Sequence, residues 1–171
     1  MILRIAKIAA AASVAALLTL VAFGNLTDYG TNFAFVQHVL AMDTIFPTST
    51  IGYRAVTDPT LHHVAYALII ATQAVAAALC WIGVIRLLRH VRHDAAGFNR
   101  SKHVIIAGLT IAFLLYQFGF VTIGGEWFGM WMSQQWNGVP SAFRFLITII
   151  AVLIFVSLPD SEMTALRRRP D

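Results

Sequence analysis

Residues 64–85 read VAYALIIATQAVAAALCWIGVI and hold no charged side chain, while the connector after them, 86–103, carries Arg86, Arg89, Arg92, Arg100 and Lys102. A charge-free apolar run of about 20 residues is the length at which an α-helix crosses the hydrocarbon core of a bilayer. Basic residues directly after such a run hold that end of the helix on the cytoplasmic side. Working outward, residues 8–26, 104–123 and 140–158 fit the same description, with Arg144 the one charge inside any of them. The expected fold is all-α: a polytopic, antiparallel bundle of four transmembrane helices.

Composition agrees. A chain that is 58% hydrophobic and 12% charged is not an ordinary soluble domain. Once the spans are removed, the longest piece left, 27–63, is too short to bury a core of its own, so residues 1–171 form a single membrane domain. The net charge of +4 comes from groups flanking apolar helices. Such groups suit anionic lipid heads and membrane topology, and no nucleic-acid partner is expected. Cys80, the only cysteine, permits no internal disulfide. Arg4, Lys7 and the apolar run behind them could also be a signal peptide, but the run is long enough to span, which favours an uncleaved first helix.

The basic residues sort by side. Ten of the twelve Lys and Arg lie in the N-terminus, the 86–103 loop and the tail 159–171; only Arg54 and Arg144 lie elsewhere. Both termini are therefore expected in the cytoplasm of a multi-pass cell-membrane protein, with 27–63 and 124–139 facing outward. Small residues at Ala9, Ser13 and Ala16, and at Ala67, Ala71, Ala74 and Ala78, predict helix–helix seams. Gln73 shares another face with Tyr66, Ala77 and Cys80. Gln73 and Gln117 are the intramembrane polar residues, expected to tie helices together or, in an oligomer, to line a pore.

Both outward segments are elaborate. Apolar residues from Phe35 to Phe46 recur at helical spacing, with Thr31 or Asn32 as a cap, and predict an amphipathic helix. Asp43 interrupts its apolar face. Either the helix stops at Met42, or Asp43 is buried and needs a partner, Arg54 being the nearest basic candidate. Residues 124–138 read GGEWFGMWMSQQWNG and predict a second helix, whose Trp127, Phe128, Trp131 and Trp136 form a lipid- or partner-facing surface. Glu126 and Arg144 bracket it and are expected to form a structural ion pair.

No phosphate-cradling loop, nucleophile elbow or zinc-protease motif is present, and no catalytic residue, metal site or cofactor is expected. His38, His62 and His63 are the weak candidates for holding haem or a quinone, because no histidine falls inside an apolar span.

Three stretches together, NLTDYGTNFAFVQHVLAMDTIFP (25–47), YRAV (53–56) and GGEWFGMWMSQQWNG followed by AFRF (124–145), resemble a bacterial family of predicted small integral membrane proteins of unknown function. The resemblance implies four membrane helices in a bacterial cytoplasmic membrane and transfers no activity. The leading expectation is a non-enzymatic accessory or scaffolding subunit that contacts lipid and either other membrane subunits or itself. A redox subunit binding haem or quinone, and an oligomeric channel or transporter, are the alternatives.

Overall fold

A computed structural model describes residues 1–160. The basic tail cluster Arg167, Arg168 and Arg169 lies outside the described residues. Helix α1 (Ile2–Thr27) leads through Asp28 into α2 (Tyr29–Ala41), and α3 (Pro59–His90) follows a loop containing a 3₁₀ turn at Ile51–Arg54. After α3 come α4 (Ala95–Ser101) and α5 (His103–Leu114), which continues as a π-helical segment, Leu115–Trp127. A 3₁₀ turn at Met130–Met132 precedes α6 (Val139–Ser157).

Local chemistry sets several boundaries. Asp58 Oδ1 accepts from the Thr60 amide at 2.7 Å and Pro59 occupies the first turn of α3, where a missing N–H costs nothing. Asp94 caps α4 through the Gly97 amide at 2.8 Å. Pro140 sits in the first turn of α6, whose first amide, Val139, donates to Asn137 Oδ1 at 3.1 Å.

Four helical stretches are long and apolar enough to cross a membrane: Ile2–Thr27, Pro59–His90, Ala95–Trp127 and Val139–Ser157. They form a ring. α3 packs against α1 on one side and α5 on the other, while α6 closes the circuit against α5, the π segment and α1. Ala15, Leu18, Cys80, Leu87, Ile105, Leu109 and Ile149 are fully buried along its axis.

The seams are not where the alanine stripes predict. Ala9, Ser13, Ala67, Ala71, Ala74 and Ala78 are exposed on the outside of the ring, and Ala16 is only half-buried. α1 instead buries Ile8, Ala11, Val14, Ala15 and Leu18. α3 buries Tyr66, Ile70, Gln73, Ala77 and Cys80, and crosses α5 where each helix offers a glycine. A Cβ on Gly83 would come within 2.6 Å of the Ile105 backbone, and one on Gly108 within 2.9 Å of Cys80. Close backbone approach, rather than a row of alanines, makes this contact. An alanine stripe serves equally well facing lipid, since lipid tails are as apolar as a neighbouring helix.

The two segments between spans at one end of the ring pack on each other and form a cap. α2 stops as Met42 turns left-handed, with φ 53°. Val39, Met42, Phe128 and Met130 then share a small apolar core with Ile45, Ile51 and Val139. Ser133 Oγ joins the halves, accepting from Thr44 Oγ1 and from the Trp136 amide, both at 2.8 Å. The helix predicted over 124–138 is absent. Residues up to Trp127 belong to the third membrane helix, and Gly129, at φ 65°, turns the chain out of it.

Candidate functional site beneath the cap

The aromatic residues are committed unequally. Phe128 is buried in the cap core, and Trp136 stacks on His38 with ring centroids 4.5 Å apart. Trp127 and Trp131 stay about half exposed. Arg54 lies over the Trp127 ring at 4.7 Å and donates to the Trp127 carbonyl at 3.2 Å, pinning the end of the third membrane helix to the 51–54 turn. That work was assigned to Glu126 and Arg144. Those two do not pair: both are exposed, and Arg144 donates instead to Ser141 Oγ at 3.1 Å. One turn into α6 its side chain reaches water by itself, so it needs no counter-ion.

The three candidate histidines are separately engaged. His38 Nδ1 bonds Asp43 Oδ2 at 2.7 Å, which gives the exposed Asp43 its partner in place of Arg54. His62 is buried and donates through Nε2 to the Val56 carbonyl at 2.7 Å, leaving Nδ1 with no partner. His63 bonds the Tyr29 hydroxyl at 2.8 Å and stacks on Phe33 at 4.0 Å. Among the described residues, no three His, Cys, Asp or Glu side chains gather as metal ligands would.

Gln73 is the polar residue whose surroundings are richest. It is buried, and its Oε1 accepts from Asn25 Nδ2 at 2.7 Å; the Asn25 carbonyl accepts from the Tyr66 hydroxyl at 2.9 Å. This chain of neutral groups ties α1 to α3 and forms one wall of a partly open cavity of about 280 Å³ under α2. Tyr116 enters the same cavity from the π segment. It is 2% exposed, and its hydroxyl finds no partner within the protein. Gln117, its neighbour, is half-buried, and its carbonyl accepts from Thr122 Oγ1 five residues on, as π geometry allows.

A second cavity of about 240 Å³, with wholly apolar lining, adjoins the first. Phe35 and Val36 of α2, Ile69 of α3 and Phe120 of the π segment line both. Asn25 is the residue here that sequence reasoning passed over, and Tyr116, beside Gln117 in the third span, received no role from it. Asn25 lies within the first apolar run, residues 8–26, and only the α1–α3 crossing brings it to Gln73.

At the opposite end of the ring the basic residues are not simply solvated. Lys7 and Lys102, both buried, reach Asp160 Oδ1 at 2.7 and 3.3 Å, and Arg4 Nε reaches Asp160 Oδ2 at 2.8 Å. Both lysines also donate to the Leu158 carbonyl, and Arg4 donates to the carbonyls of Val91 and His93. Phe98, fully buried, offers its ring to Arg4 at 4.6 Å and to Lys102 at 5.4 Å. Burial alone would raise the Asp160 carboxyl, but hydrogen bonds from Lys7 and Arg4 and the nearby positive charges hold it at about 2.

An apolar four-helix ring with its charged groups gathered towards its two ends is the construction of a multi-pass membrane protein. Residues 3–159 match the family described as predicted small integral membrane protein (DUF2165). The chain belongs to that family. Neither the curated proteins nor the solved structures hold a match to it. Membership in DUF2165 thus agrees with the four apolar helices and contact with lipid, and assigns no role to any residue.

Proposed function

We propose that this DUF2165 protein is a non-enzymatic accessory subunit, which recognises a larger membrane assembly through its cap. The carrying observation is that the cap is held together by this chain's own contacts. It has its own apolar core, yet Phe46, Tyr53, Trp127 and Trp131 remain 46%, 78%, 52% and 47% exposed on it. Preordered aromatic groups of this kind lose little entropy on docking and dominate the energetics of many interfaces. Of the candidate histidines, His38 and His63 are each stacked on an aromatic ring and hydrogen-bonded within the protein, which also favours a binding role.

The distribution of cations supports a cap facing outward. Arg54 and Arg144 are the basic residues at the cap end, against seven others at the opposite end of the described chain: Arg4, Lys7, Arg86, Arg89, Arg92, Arg100 and Lys102. Two measurements test the reading. Gentle detergent extraction followed by native mass measurement should return the chain in complex with a different protein; a lone monomer or a simple homo-oligomer would refute the accessory role. A reporter fused at Met1 should read as cytoplasmic, and the opposite result would invert the assignment of the cap.

A further inference from the structure

The two cavities under α2 carry an inference independent of the accessory role. We propose that together they form one binding site for a neutral amphiphile, with a hydrogen-bond-accepting oxygen on its head set against Tyr116 and Gln73, and its apolar tail in the second cavity. Three observations converge. The Tyr116 hydroxyl is buried and, although the Gln73 side chain is its near polar neighbour, makes no hydrogen bond of proper geometry within the protein, a condition that native structures rarely leave unanswered. The cavity it faces is mostly apolar, is lined by no charged side chain, and carries a few amides and hydroxyls such as those of Asn25, Gln73 and Ser141. The nearest cation on the page, Arg144, is exposed and engaged with Ser141 Oγ from outside the lining, so a phosphate or carboxylate in the cavity would meet no charged side chain that lines it, which disfavours an anionic head.

The third observation is the tail's route. Ile69 and Phe120 belong to both linings, so a molecule seated by its head against Tyr116 continues along them into a wholly apolar space. Phe35 stands on the same boundary and is packed hard against Gly138, where an added Cβ would lie 2.6 Å from the ring. The wider turn of the π segment presents Tyr116 and Phe120 side by side, ring centroids 5.6 Å apart, one facing the head and the other the tail. Few polar groups at one end of a mostly apolar pocket is the usual arrangement for orienting such a ligand.

Two neutral lipids share this chemistry: a prenylated quinone and a diacylglycerol. The test is equilibrium binding to the purified full chain in detergent, using decyl-substituted benzoquinone and dioctanoylglycerol as probes and dioctanoyl phosphatidylglycerol as the anionic control. At least one neutral probe should bind with one-to-one stoichiometry, and whichever binds identifies the source. Tyr116→Phe should weaken it about threefold to tenfold, the worth of one neutral hydrogen bond. The same change should leave the melting temperature of the empty protein undiminished. Leu68→Trp, placed at an exposed position on the rim of the apolar cavity, should also weaken binding without touching the head. Failure of both neutral probes, equal binding by Tyr116→Phe, or equal binding of the anionic control would each overturn the proposal. Because the experiment needs no second protein, its failure would leave the accessory reading standing.

Discussion

Asp160 shows how much one carboxylate can organise. Three cations from two separate parts of the chain converge on it, Arg4 and Lys7 from α1 and Lys102 from the junction of α4 and α5, and both lysines are buried. Removing one member of a buried ion cluster strands the others, so Asp160→Asn should lower stability by about 3 kcal/mol, read as a fall in melting temperature in detergent. The sign of its pH dependence follows from a carboxyl held at about 2, below its ordinary 3.8. Its contribution, about 2 kcal/mol, is complete above pH 4 and is lost as pH falls through about 2. The difference in melting temperature between the native protein and Asp160→Asn should therefore shrink as pH falls below 4. At the same scale, Lys7→Ala should be strongly destabilising and Arg144→Ala nearly silent. A comparable loss from both would show that Arg144 has a partner at depth after all.

At the scale of elements, the four helices were legible because an apolar run of that length has few other fates. Their ends were legible where a cap or proline acts locally, as at Pro140. Which face of each helix turns inward was not. Alanine is neutral between lipid and protein, so the stripe at Ala67, Ala71, Ala74 and Ala78 carried no information on which it meets, whereas Gly83 and Gly108 mark places where backbones touch. Gly83→Ala should cost about 1–3 kcal/mol through overpacking against Ile105, and Ala71→Leu, on the exposed face, should change the melting temperature little. The reverse order would restore the stripe as the seam. The π segment was equally hidden, because Leu115–Trp127 is as apolar and periodic as any α-helix. Its hydrogen bonds, such as Phe128 N to the Ile123 carbonyl at 3.0 Å, are visible only in three dimensions.

Across the whole molecule, two ends with different chemistry close one apolar ring. The cap end is held by stacking and apolar contacts, with Arg54 over Trp127 in place of the expected Glu126–Arg144 pair. Sequence could pick out the residues of the cap as unusual, but distances of 73 positions between partners such as Arg54 and Trp127 cannot be read from spacing. Trp127→Ala and Arg54→Ala should loosen the same contact and therefore combine less than additively, which a double-mutant cycle in melting temperature would measure. Full additivity would mean that the two side chains act separately. The other end is held by charge, and this has a consequence for biogenesis. Arg4 and Lys7 are made before all four membrane helices are complete, but their counter-ion, Asp160, lies after α6. Until α6 is inserted, the nascent protein carries three cations at a boundary built to exclude water, with nothing to neutralise them. A chain cut after Pro159 should reach the membrane yet be cleared quickly by proteolysis, and a pulse-chase comparison with the intact chain would reveal the shortened lifetime. The arrival of Asp160 behind α6 is thereby recorded as an electrostatic latch.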